Sequence, residues 1–374
     1  WVYALRGADG EIVSGYDLGD ALQASPVIAP GLLVVASYSR VHVWRSQQDR
    51  RKILRDLHRP LAESGTEHFC PCKGGGPRAG APPFRAPGDV SRPAWSFELT
   101  RRAPNEFFLN SPVIDSQGNI YVSSRYRALQ VLRPDGTLRG SLDLGSSLTT
   151  PALLGHMLYA GTGDGFAIAA DISTLEIRWQ RRYCCQTNLS TESTIAVEGC
   201  VLLPGNRSSI QITNKTLFCL DIEDGHTKWS YDVKGVGIHD ARPVIVDDFV
   251  VFTDANGGVY AAQLADGAAL WEVDHAQVGC REGAFLCVGP MAQAQVFVSG
   301  TVRPPGDWIA GTLGCSTVQA YDAGSGFRRW EKVFDREACQ VPPVVVPAAA
   351  PSGRHVLVVA LGNSGGGPPP TLFC

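Results

Sequence analysis

The sequence predicts an all-β chain folded as a seven-bladed β-propeller of four-stranded antiparallel blades, and three observations predict it. A proline-marked apolar strand recurs seven times along 374 residues. Between its copies runs a second pattern, two strands joined by an Asp-Gly or Ser-Gly turn and closed by tryptophan. No stretch sustains apolar residues at i, i+3, i+4 and i+7, the signature of an amphipathic helix.

The first pattern reads Ala24-Ser25-Pro26-Val27-Ile28, Asn110-Ser111-Pro112-Val113-Ile114, Thr150-Pro151-Ala152-Leu153-Leu154, Ala241-Arg242-Pro243-Val244-Ile245 and Val341-Pro342-Pro343-Val344-Val345. Glu192-Ser193-Thr194-Ile195 and Val288-Gly289-Pro290-Met291 are degenerate copies. Each is followed by a β-branched or aromatic run, from Leu33–Ser37 through Ile120–Ser124 to Val356–Leu361, which predicts a second strand. Leu217–Asp221, Asp224-Gly225 and Trp229 show the second pattern best. Val259–Ala262 with Asp266-Gly267 and Trp271 repeats it, as does Val318–Asp322 with Ser325-Gly326 and Trp330. Ala167–Asp171 with Trp179 is a weaker copy, and Ala128–Leu132 with Asp135-Gly136 lacks the tryptophan. Glycine tolerates the positive φ of a tight turn, so these pairs predict hairpins. A spacing of about 40 to 60 residues indicates blades.

The ends complete the count. Val2–Leu5 and Glu11–Leu18 read as third and fourth strands without a first and second. Val341–Val346 and His355–Leu361 read as a first and second without the rest. Joined, they predict one blade closed by N- and C-terminal strands, so that 1–374 is a single propeller. Two stretches break the period: a Pro/Gly/Arg-rich insertion over 45–94, expected to be flexible and helical only near Arg50–His58, and a disordered tail over 362–374.

Charged residues make up 18% of the chain and the net charge is −3, so no basic footprint invites nucleic acid. The apolar run Val341–Ala350 is broken by prolines and falls short of the ~20 residues a membrane helix needs, so no membrane segment is expected. The chain opens at Trp1 without initiator Met or leader pattern, the expectation being a monomeric propeller within a longer chain. Eleven cysteines, an odd number thinly spread, do not make a disulfide framework. Three sequons at Asn188, Asn206 and Asn214 leave the compartment open, the cytoplasm slightly favoured.

Asp, a turn Gly and a Trp four residues on, followed by Ser-Pro-Val, resemble the repeats of the pyrroloquinoline-quinone (PQQ) type propellers, related to quinoprotein alcohol dehydrogenases. The resemblance covers nearly all the chain outside the insertion. It implies the propeller fold and a binding or scaffolding module that is not itself catalytic. Within the family the chain is similar to the carboxy-terminal propeller of beta-alanine-activating, adenylate-forming enzymes. That likeness implies a protein or carrier-domain partner and an amino-acid-activating parent. The alternative it implies is an oxidoreductase using PQQ and Ca²⁺, in which Cys184-Cys185 is the vicinal platform under the quinone. Glu192, Asn206 and Asp240 are candidate oxygen donors, outside any matching family motif. A third reading is an envelope assembly scaffold of the outer-membrane type.

For the binding module, the polar residues just ahead of first strands are the expected contact rim: His239, Asp240 and Arg242, with Arg281, Glu282 and Asn110 at comparable places. Arg242 offers a planar fork for an anionic group. Trp179, Trp229, Trp271 and Trp330 are expected as structural wedges between blades. No catalytic residue is expected. His68-Phe-Cys70-Pro-Cys72 lacks a second cysteine pair for a closed zinc site, so no metal is expected. Gly161-Thr-Gly163-Asp-Gly165 lacks the lysine and helix of a phosphate loop.

Overall fold

The computed structural model describes residues 1–6, 11–21, 24–46, 68–77, 84, 86–99, 108, 110–124, 128–186, 193–208, 214–235, 237–238, 242–255, 257–274, 285–288, 295–302, 315–334, 344–346, 356–361 and 371–373. Among them every regular element is a strand. Six four-stranded antiparallel sheets follow one another, each a meander whose strands pair in sequence order. They are β3 (Val27–Ala29) to β6 (Trp95–Glu98), with β4 (Leu32–Ala36) and β5 (Arg40–Arg45) between, then β7 (Val113–Ile114), β8 (Ile120–Ser123), β9 (Ala128–Leu132) and β10 (Leu138–Asp143). The third holds β11 (Ala152–Leu154), β12 (Met157–Gly161), β13 (Phe166–Asp171) and β14 (Ile177–Arg182), the fourth β15 (Ile195–Val197), β16 (Cys200–Gly205), β17 (Thr216–Asp221) and β18 (Thr227–Asp232). The fifth runs from β19 (Val244–Val246) through β20 (Phe249–Thr253) and β21 (Val259–Gln263) to β22 (Ala269–Val273). The sixth runs from β23 (Phe285–Val288) through β24 (Gln295–Val302) and β25 (Cys315–Asp322) to β26 (Arg328–Phe334). This is the all-β, propeller-type meander the repeats predict. The helix expected near Arg50–His58 lies outside the described residues.

The termini depart from expectation. β1 (Val2–Leu5) pairs with β2 (Ile12–Tyr16) as a two-stranded sheet, while β27 (Val344–Val346) and β28 (Val356–Leu361) take β29 (Thr371–Phe373) as a third strand. The edge of β28 predicted for β1 is therefore held by the chain's own end, with Val359 opposite Phe373 and Leu361 opposite Thr371. An apolar strand such as Val-Leu-Val-Val-Ala-Leu cannot leave its N–H and C=O groups unpaired, and a segment ten residues downstream closes a shorter loop than one at the other terminus. Thr371–Phe373 is thus ordered, against the expected disordered tail over 362–374; the rest of that tail is outside the described residues.

The described residues form two compact units. One comprises Trp1–Gly76, Pro82–Gln180 and Leu189–Thr194, the other Pro77–Ala81, Arg181–Asn188 and Ile195–Cys374. In the first unit Val34, Val41, Val43, Ile114, Ile120 and Leu132 make one buried cluster, and Val113, Tyr121, Leu153, Leu158 and Ile168 make another. In the second, Val244, Val251, Ala261, Val298 and Tyr321 do the same. Second strands such as β4, β16 and β20 are buried at every position, because both faces of a packed blade are covered. Fourth strands such as β14 and β26 are largely exposed.

Part of the 45–94 insertion is built into this frame rather than loose. Cys70 and Ile114 exchange both backbone hydrogen bonds, at 3.0 and 2.8 Å, and Leu153 N donates to Pro71 O at 2.7 Å. Phe69 stacks edge-on against Phe84, with ring centroids 5.7 Å apart, inside the same cluster as Val34 and Ile114. Val90 O accepts from the Trp44 indole at 3.0 Å, and Val90 N donates to Ser14 Oγ at 2.8 Å. In the second unit Ile245 N donates to Pro77 O. A Pro/Gly-rich composition forbids a core of its own but not β-addition to existing strands.

Within β5, His42 is buried with Nδ1 2.9 Å from Ser96 Oγ, and its Nε2 lacks a hydrogen-bond partner. Burial first, then the nearby Arg40 cation, holds its pKa below the ordinary histidine value, against the opposing pull of Asp20. The unfolded chain takes up this proton near pH 6.5, the folded chain only at lower pH. Below that point the unfolded state carries more protons, so stability falls as pH falls. The urea midpoint is expected to drop between about pH 7.5 and 5.5 by more in the natural chain than in His42→Gln; equal drops would remove His42 from the acid side of the stability curve.

Candidate functional site

Of the polar residues ahead of the first strands, expected as a contact rim, the two that are described, Asn110 and Arg242, are buried. Asn110 Nδ2 donates to Ser123 Oγ at 3.0 Å and to Leu148 O at 2.6 Å. Ser25 N donates to Ser111 Oγ at 3.2 Å, and Thr149 Oγ1 meets Thr194 Oγ1 at 2.6 Å while accepting from Gly161 N. Thr150 and Ser193 face each other in a parallel bridge. The Ser/Thr-Pro-Val motif thus links one repeat's first strand to the next through short polar side chains. Proline suits it because its missing N–H leaves no orphan donor. Arg242 is likewise buried, just ahead of β19. His239, Asp240, Arg281 and Glu282 lie outside the described residues.

The tryptophans show a repeated geometry. Trp229 Nε1 donates to Leu264 O at 2.8 Å and its indole covers Gly267; Trp271 Nε1 donates to Ala323 O at 2.9 Å and covers Gly326. A Cβ on either glycine would lie 2.7 or 2.6 Å from the indole, and both have positive φ. The Asp/Ser-Gly turn therefore carries two demands, hairpin geometry and a flat seat for the preceding blade's tryptophan. Trp95, not singled out by the sequence, does the same on Gly136 with Pro134 O at 2.9 Å. Its signal was an Asp-Gly turn one repeat downstream. Trp179 packs tilted on Tyr159, and Trp330, 41% exposed, on Phe297.

Cys184 and Cys185 are not joined by a disulfide. Cys184 is buried with Sγ 3.3 Å from Gln186 O, and Cys185 is exposed with Sγ 2.9 Å from Arg207 O. The two sulfurs address different backbone carbonyls and make no flat platform. Asn206 is spent as well: Oδ1 accepts from Lys215 N at 3.1 Å, and Nδ2 points to Asn214 Oδ1. Glu192 and Asp240 are outside the described residues. Of the three oxygen-donor candidates only Asn206 is described, and its side chain is engaged within the protein. His68, Cys70 and Cys72 do not converge as ligands either, since both imidazole nitrogens face backbone groups, Gly155 O at 2.9 Å and Ser116 N at 3.2 Å. No group of three or more His, Cys, Asp or Glu side chains is placed to hold a metal among the described residues.

What sequence reasoning missed is a surface. On β1 and β2 the side chains of Val2, Ala4 and Tyr16 pack against Leu18, Val35, Trp44 and Val90. On the other side Trp1, Tyr3, Leu5, Ile12 and Val13 are exposed, with Trp1 and Tyr3 stacked at 5.7 Å and 6°. A strand apolar on both faces was the available signal: one face packs on the core, and the other is exposed among the described residues. Among the described residues no helix is long and apolar enough to cross a membrane.

Comparison with known proteins bears on these features. A family profile described as outer membrane protein assembly factor BamB matches residues 91–213 and 198–337, more than half of the chain. The chain is 28% identical over 125 residues to the outer membrane protein assembly factor BamB of Yersinia pestis, a stretch spanning 33% of this chain and only 31% of that relative. The crystal structure of BamB from Moraxella catarrhalis superposes with a TM-score of 0.55 at 15% identity, covering 91% of this chain and 82% of that one. A europium-containing methanol dehydrogenase superposes more loosely, with a TM-score of 0.41, 14% identity and coverage of 57% and 48%.

Proposed function

The chain belongs to the PQQ-like repeat family described by the outer membrane protein assembly factor BamB, and from that premise we propose that it is a non-catalytic propeller that binds protein partners as a scaffolding module. The observation that carries the reading is the apolar outer face of β1 and β2, where two stacked aromatic rings and three aliphatic side chains stand in water on a sheet whose other face is anchored. Rigid aromatic anchors contribute most to protein interfaces, because they bury large area at small entropic cost. The side chains of Asn110, Ser111, Thr149 and Asn206, by contrast, are engaged in hydrogen bonds within the fold.

A photoreactive phenylalanine at position 3 is expected to crosslink a protein partner. Trp1→Ser with Tyr3→Ser should weaken that partner's binding by about 10- to 100-fold without lowering thermal stability. Phe327→Ser, at an exposed apolar residue elsewhere, should leave binding unchanged. Absence of any protein adduct, or equal binding by the doubly substituted chain, would refute the reading.

The finer reading, that the propeller is appended to an adenylate-forming, amino-acid-activating enzyme and receives its carrier domain, rests on the likeness of the repeats alone. An adenylation motif upstream of Trp1 in the transcript would support it.

A further inference from the structure

Cys200 opens β16 and Cys219 lies in β17, and both thiols are free and buried, at 3% and 0% exposure. Cys200 stands opposite Asp221 and Cys219 opposite Leu202, in unbroken register. Directly opposed residues share a face of a sheet, and so do residues two apart along one strand. The two cysteines are therefore diagonal neighbours on one face of the β16–β17 pair. Their thiols are hydrogen-bonded to each other, Cys219 being the donor.

Diagonal neighbours lie about 7–8 Å apart, beyond the Cα separation of ~7 Å that a disulfide tolerates without backbone movement. The spacing suits two sulfurs with one ion between them, joined by two metal–sulfur bonds of about 2.3 Å each. The donor set selects the ion. A structural zinc site takes four ligands, and no third His, Cys, Asp or Glu joins this pair among the described residues. Copper(I), a soft cation with a filled d shell, is satisfied by two thiolates in a line.

Charge and access agree with that choice. Two thiolates around copper(I) carry one net negative charge, and the Lys228 ammonium acts on both sulfurs. Its Nζ donates to Gly199 O at 3.3 Å, next to Cys200. Asp221 opposes that attraction, while its Oδ1 accepts from Glu223 N at 2.9 Å. A Cβ added to Gly199 would meet nothing within 4 Å, which leaves a short path from solvent to Cys200.

We propose that Cys200 and Cys219 form a two-coordinate copper(I) site that ties β16 to β17. Two S–H bonds break and two copper–sulfur bonds form. Both protons pass to solvent, and copper stays in the +1 state throughout.

Copper(I) itself is the probe, delivered without oxygen from its coloured bicinchoninate complex, so that loss of colour reads the transfer. The natural chain should take up one equivalent tightly, with two sulfur neighbours in the copper K-edge absorption spectrum. Its thermal midpoint should rise as that equivalent is bound. Cys200→Ser and Cys219→Ala should each weaken the tight equivalent by on the order of 100-fold or more, and their midpoints should no longer respond. Cys185→Ala, at an exposed thiol, should keep it. Cys200→Ser, at the first position of its strand, carries the comparison should Cys219→Ala fail to fold, and the absorption spectrum needs no variant. No tight equivalent in the natural chain, three or more sulfur neighbours, undiminished binding by Cys200→Ser, or loss of the equivalent in Cys185→Ala would overturn the site.

Discussion

Trp229→Ala is expected to destabilise the fold by about 3–5 kcal/mol, read as a lower urea midpoint. The indole is 7% exposed, so its removal exchanges a large buried surface for a cavity and leaves Leu264 O without its donor. The pocket collapses poorly because its floor is the Gly267 turn, whose φ of +73° is held by the hairpin. Trp330→Ala makes the contrast, since that ring is 41% exposed and should cost about 1 kcal/mol or less. Gly267→Ala should also destabilise, its Cβ arriving 2.7 Å from the same indole, and should cost less in the Trp229→Ala background than in the natural chain. Equal costs for Trp229→Ala and Trp330→Ala would mean that the repeated tryptophan does not hold neighbouring sheets together.

Asp254→Ala should cost a comparable amount, about 3–5 kcal/mol, for a different reason. Asp254 is fully buried at the end of β20, where Oδ2 accepts from Gly235 N at 3.0 Å and from the Tyr260 hydroxyl at 2.5 Å, and Oδ1 from Gly258 N at 3.0 Å. Alanine leaves three buried donors unsatisfied at once. Neither glycine tolerates a side chain: an added Cβ would fall 2.2 Å from the carboxylate at Gly235 and 2.6 Å at Gly258. The Tyr260 hydroxyl in turn accepts from Lys234 N at 3.1 Å, and burial, reinforced by the Asp254 bond and charge, pushes its pKa up, so it stays a donor. Tyr260→Phe, which removes one link and leaves the two backbone bonds to Asp254, should cost about 1–2 kcal/mol. A small effect of Asp254→Ala in urea unfolding, within that of Tyr260→Phe, would show that the cluster is replaceable by water.

Local chemistry explains why the sheets were legible and their ends were not. Val-Ile after Ser-Pro and Trp after Asp-Gly encode a strand and its hairpin within a dozen residues, so the six meanders follow from short-range pattern. The strand that pairs with β28 is a choice among distant segments, and Thr-Leu-Phe at 371–373 is too short to carry a periodic signal. The same limit applies at the candidate sites. Asn110 and Arg242 read as rim residues because a polar residue before a strand is usually solvated, yet burial is set by the neighbouring blade. Cys184 and Cys185 are adjacent in sequence, but they lie in a bend after β14 and their sulfurs address different carbonyls.

From residues alone come the strand period, the turn glycines, the outer-strand tryptophans and the absence of a basic or membrane-spanning stretch, because each is read from short-range pattern. Three-dimensional packing adds what no local rule contains: which apolar face of β1 is left in water, which polar side chains tie one repeat to the next, and that His68–Cys72 lies along β7 and β11. Those outcomes depend on which strand edges remain unpaired once every sheet has formed, and edges compete across the whole chain.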